Sequence, residues 1–101
     1  MKYLRITMPD NSKWDVEAVI IANSRAAYYA QKDSGVTEGR EYDKIYKDEM
    51  EYALSDSDEL IDWAENNMNW EDVQRYAHKV KDGNIDYQEG WVNGEKEVIE
   101  V

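Results

Sequence analysis

The sequence predicts one α+β domain over residues 1–101, with strands towards both ends and helices between them. Three observations carry that expectation. Apolar residues recur with a period of two near each end and with spacings of three and four through the middle. Clusters of turn-forming residues separate these runs. A hydrophobic fraction of 42% and an aromatic fraction of 12% exceed what a disordered acidic segment holds, so the chain has enough apolar surface to fold.

Leu4, Ile6 and Met8 alternate with Tyr3, Arg5 and Thr7, which reads as a strand, and Pro9-Asp10-Asn11-Ser12 follows as a turn. Lys13 to Val16 returns as the second arm of an N-terminal hairpin. From about Glu17 the period changes to that of a helix. Ile20, Asn23, Ala27 and Ala30, flanked by Val19 and Ala26, mark one face of a helix from about 17 to 33, and Asp33-Ser34-Gly35 supplies its stop. A second helix is expected from Glu38 or Gly39 to Leu54, because Tyr42, Ile45, Tyr46, Met50, Ala53 and Leu54 fall three and four apart. Ser55-Asp56-Ser57 offers N-cap side chains for a third, with Leu60, Ile61, Ala64 and Met68 as its stripe. Asn69 and Asp72 start a fourth, whose face is Trp70, Val73, Ala77 and Val80. Ile85, Tyr87 and Trp91 return to a period of two, and Asn93-Gly94 predicts a type I′ turn into a final arm from Glu95 to Val101. All strands are expected in one antiparallel sheet.

Net charge is −11, and it is concentrated. Twelve acidic residues lie between Glu41 and Asp72 against Lys44 and Lys47, while the rest of the chain is nearly balanced. Such a field repels phosphates and anionic membranes and attracts basic surfaces, so direct nucleic-acid or membrane binding is not expected. There is no cysteine, which excludes disulfides and thiolate chemistry and fits a reducing cytoplasm. No apolar run is long enough for a signal peptide or a membrane span.

Motifs for chemistry are missing. His78 is the only histidine and, without cysteine, gives no zinc signature. Asp56-Ser57-Asp58 begins like a calcium loop, but the glycine at the sixth position is absent and a helix cap explains the stretch better. Paired carboxylates have no specificity in so acidic a chain, and no phosphate loop or nucleophile elbow occurs. No enzyme activity, cofactor or metal is expected.

The distinctive feature is the segment from Ser55 to Asp72, with seven carboxylates and no lysine or arginine. Asp58, Asp62 and Glu65, spaced four and three apart, project from one side of a helix, with Glu59 beside them. At about 1.5 Å of rise per residue the four make roughly one charge per 3 Å, against about one per 1.7 Å of duplex DNA axis. The bland reading is a solvated face that keeps the protein soluble. A purely solubilising face mixes both signs, and this one does not.

The opening MPDNSKW followed by VIIANSRAAYYA, over Met1 to about Ala30, resembles the start of small uncharacterised proteins of bacteriophage and prophage genomes. Small acidic phage proteins include inhibitors of bacterial defence, among them anti-CRISPR and anti-restriction proteins, some of which imitate the charge of DNA. The resemblance implies a non-enzymatic inhibitor that acts in the host cytoplasm by occupying the basic, nucleic-acid-binding surface of a defence protein. Asp48, Glu49, Glu51, Asp58, Glu59, Asp62, Glu65, Glu71 and Asp72 would supply the field, and Tyr52 or Trp63 would anchor the contact. The alternative is a small accessory or structural module that acts as a homodimer, with the acid serving solubility. Acids scattered over opposite sides of the molecule, or neutralised internally by Arg25, Arg40 and Arg75, would collapse the inhibitor reading.

Overall fold

The structure, a computed structural model, describes residues 1–8, 11–81 and 91–101, with the backbone alone for 79–81. Its elements are β1 (Lys2–Thr7), β2 (Lys13–Glu17), α1 (Ala18–Ser34), α2 (Arg40–Ser55), α3 (Ser57–Asn67), the single turn α4 (Trp70–Val73), a 3₁₀ turn (Gln74–Tyr76), β3 (Ala77–Lys81) and β4 (Glu95–Glu100). The four strands make one antiparallel sheet in the order β3-β2-β1-β4. The α+β expectation therefore holds, with strands from both ends joined side by side.

The alternation in β1 decides which side of the sheet is covered. Leu4 and Ile6 are fully buried, as is Val16 opposite Leu4 on β2, and they face the helices. Arg5 lies on the other side, where its guanidinium donates to both carboxylate oxygens of Asp15 across the β1–β2 pair, at 2.8 and 2.9 Å. The two neighbouring acids, Asp15 through its hydrogen bond and Glu97 through its field, hold the Arg5 pKa above its ordinary value.

Helix α1 lies along α2, and side chains such as Arg25 with Glu49 and Asn23 with Tyr46 join the two. The buried side of α1 is Ala18, Ile21, Ala22, Arg25, Ala26 and Ala30, rotated from the expected stripe: Val19 and Asn23 are exposed. The physical reason is that a charged residue, Arg25, stands on the inward face. Gly35 closes α1 in the left-handed conformation, at φ 75°, and its N–H donates to the Gln31 carbonyl. At the other loop end, Asp56 ends α2 and caps α3, its side chain accepting from the N–H groups of Asp58 and Glu59 at 3.1 and 3.2 Å.

Two expectations fail in the last third. The fourth helix does not run to Val80. The capping box of Asn69 and Asp72 starts only α4 and the 3₁₀ turn, after which Ala77–Lys81 pairs with β2. The apolar spacing is helical throughout, since Ala77 and Val80, three apart, share no face of a strand; long-range pairing to the outer edge of β2, with a register shift between Lys13 and Trp14, wins over that local preference. His78 consequently sits on a strand opposite Asp15, not on a helix. The type I′ turn at Asn93-Gly94 also fails: Trp91 to Asn93 form a helical turn, and β4 pairs with β1 at the far edge of the sheet from β3. Ile85 and Tyr87, expected in the first arm of that hairpin, lie outside the described residues.

Trp91 is the largest fully buried side chain. Its indole N–H donates to the carbonyls of Ala64 and Met68 at 3.0 and 3.1 Å, satisfying groups left open at the end of α3. Its ring tilts against Trp70, which in turn meets Trp14 edge-on, with centroids 6.2 and 5.3 Å apart. Three of the four tryptophans thus lock the C-terminal third onto the sheet.

Candidate functional site: the acidic faces of α2 and α3

Leu60, Trp63 and Ala64 face inward and fix the rotation of α3. With about 100° between successive residues, the same rotation turns Asp58 and Asp62 outward, where both are exposed, and turns Glu59 towards α2. Asp62 accepts from the side chain of Asn66 at 2.9 Å. On α2, Asp48 and Glu51 are exposed, and Glu71 is exposed on α4. Among the described residues, none of these five acids forms an ion pair with a cation.

The other expected site residues have internal partners. Arg25, with its side chain 9% exposed, reaches from α1 to α2 and α3 together. It donates to Glu49, and its Nε lies 3.5 Å from a carboxylate oxygen of Glu59. Glu65 pairs with the nearly buried Lys96 of β4 at 3.0 Å. The Lys96 ammonium also donates to the carbonyls of Val92 and Gly94, so it ties α3 to the turn before β4. Asp72 accepts from the Asn69 N–H at 2.8 Å as half of the capping box. Trp63 is no surface anchor. It is buried, its N–H donates to Ser24 at 3.1 Å, and its ring packs against Tyr28 and Tyr29. Internal neutralisation is thus real at Glu49, Glu59 and Glu65, through Arg25 and Lys96. Arg40 and Arg75 make no ion pair with a described acid.

Of the two expected anchors, Tyr52 is the one that stays at the surface, with 46% exposure. The Arg25 guanidinium lies 4.9 Å from its ring centre. The phenol pKa is raised above 10.0, first by the charge of Glu59, then by loss of water and by Asp56, with Glu49 adding and Arg25 opposing. One ring on α2 therefore feels carboxylates from both helices.

Sequence reasoning placed the outward acids and the Asp56 cap but left Arg25 and Lys96 out of the folded interior. The signal for Arg25 was present: it falls in register with Ile21, Ala22 and Ala26 on the alanine-rich face of α1. Lys96 had no such signal, because its partner is 31 residues away. Among the described residues no group of three or more metal-binding side chains occurs, and no helix is long and apolar enough to cross a membrane. No family model matches the chain, and neither a curated protein nor a solved structure does.

Proposed function

We propose that this protein is a non-catalytic binding protein that uses the outward face of α3 and the adjoining side of α2 to cover a basic protein surface of the kind that binds nucleic acid. One observation carries the reading. The fold supplies Arg25 and Lys96 to neutralise Glu49, Glu59 and Glu65, yet leaves Asp58 and Asp62, one turn apart on the same helix, without a cation among the described residues. Like charges at this spacing cost a few tenths of a kcal/mol, and a cationic surface laid over them would remove that repulsion. Tyr52, exposed between acids of both helices, is the aromatic group suited to anchor such a contact. The surface is smaller than the residue count in the sequence suggests, since Glu49, Glu59 and Glu65 are already paired. Were the opening of the chain a phage sequence, as the resemblance of Met1 to about Ala30 implies, the owner of the basic surface would be a host defence protein.

The test is capture followed by competition. Proteins retained from bacterial lysate on the immobilised chain at low salt should be nucleic-acid binders, should elute as salt is raised, and should be displaced by duplex DNA. Retention that survives high salt, or that DNA leaves untouched, would overturn the reading.

A further inference from the structure

We infer that the basic partner also inserts an apolar side chain into a groove beside the acidic face, so that the preferred partner segment is amphipathic and not merely cationic. This rests on the function proposed above. The groove, about 460 Å³ in volume, lies where the C-terminal end of α2 meets the start of α1 and the β1–β4 edge, and Met1, Lys2, Ala18, Val19, Leu54 and Glu100 line it. The charged groups of its lining already have partners. The Lys2 ammonium donates to the Leu54 carbonyl at the negative pole of α2. Glu100 is paired with the Met1 ammonium. Val19 and Met1 are left 42% and 62% exposed.

The charge around this groove selects its occupant. A second copy of the chain would bring its own charge of −11 against the same surface. A cationic segment would be drawn in. Leu54 and the exposed Glu51 are three apart on α2 and so neighbours on its surface. An apolar side chain seated on Leu54 and Val19 thus leaves basic residues of the same segment beside Glu51, on the α2 side of the acidic surface.

Two synthetic peptides of identical lysine and leucine composition test this. In one the leucines fall at i, i+3, i+4 and i+7; in the other they are spread around the helix. Affinities for the intact protein, for Val19→Gln and for the double variant Asp58→Asn, Asp62→Asn are measured at low and high salt. The amphipathic peptide should bind about tenfold tighter to the wild type, the gain expected from burying part of one large apolar side chain. Val19→Gln should remove that preference and leave the spread peptide unaffected. The double variant should weaken both peptides alike. Equal affinity of the two peptides for the wild type, or a preference that survives Val19→Gln, would overturn the groove and leave the acidic face standing. Binding of both peptides that ignores Asp58 and Asp62 would instead remove the reading on which the groove rests.

Discussion

Asp58 and Glu59 are adjacent in sequence and share the first turn of α3, yet they belong to different regions of the molecule. Glu59 joins Glu49 around the guanidinium of Arg25, under the ring of Tyr52. Asp58 joins Asp62 on the outer side of the same helix and meets no cation among the described residues. One step along a helix separates a charge that holds three helices together from a charge left for solvent or a partner. Net charge therefore says little about where the usable field lies. What decides it is the rotation that Leu60, Trp63 and Ala64 impose on α3.

The sharpest way to break this division is to remove its buried cation. Arg25→Met leaves Glu49 and Glu59 facing each other without a counter-charge. Because both glutamates keep some contact with water, the loss should fall near the lower end of that for breaking a buried pair, about 3 kcal/mol. Urea unfolding at neutral pH measures it, and Arg25→Lys should recover only part, since an ammonium cannot reach both acids as the guanidinium does. A smaller effect belongs to Asp56→Ala. This change removes the acceptor for the Asp58 and Glu59 N–H groups and should cost about 1 kcal/mol in the same assay.

Asp62→Asn probes the outer region and should leave stability within about 0.5 kcal/mol of wild type, as for a surface change away from packing and caps. The asparagine oxygen can still accept from Asn66. A loss as large as that of Arg25→Met would mean that the outer acids are structural after all.

The last prediction concerns the seam between the two regions. Subtracting the ultraviolet titration of Tyr52→Phe from that of the wild type should isolate a phenol that ionises above the ordinary range, and Glu59→Gln should lower it, because Glu59 is the largest cause of the rise. The fold favours the neutral phenol. Any stability linked to Tyr52 is therefore intact at neutral pH and declines only as pH rises through the range where tyrosine ionises.

How far the sequence could be read differs along the chain for a physical reason. The N-terminal hairpin, α1, α2 and the Asp56 cap are specified locally, by alternation in Leu4-Ile6-Met8, by helical spacing, by Gly35 and by a side chain that bonds N–H groups two and three residues on. The path after Asn69 is specified by distant groups. Trp91 completes α3 by bonding the carbonyls of Ala64 and Met68, and Ala77–Lys81 becomes a strand because β2 has an open edge beside it. The same distinction governs the site. Asp58 and Asp62 were legible as outward residues from spacing alone, whereas the capture of Glu49, Glu59 and Glu65 depends on Arg25 and Lys96, 24 to 34 positions away in the chain.

The most direct measurement is the affinity of the Asp58→Asn, Asp62→Asn double variant for a captured basic partner at low salt, with the urea midpoint taken on the same preparation. Binding about tenfold weaker, with an unchanged midpoint and a shallower dependence on salt, is expected if these two carboxylates face the partner. Undiminished binding by a protein that is still folded would contradict it.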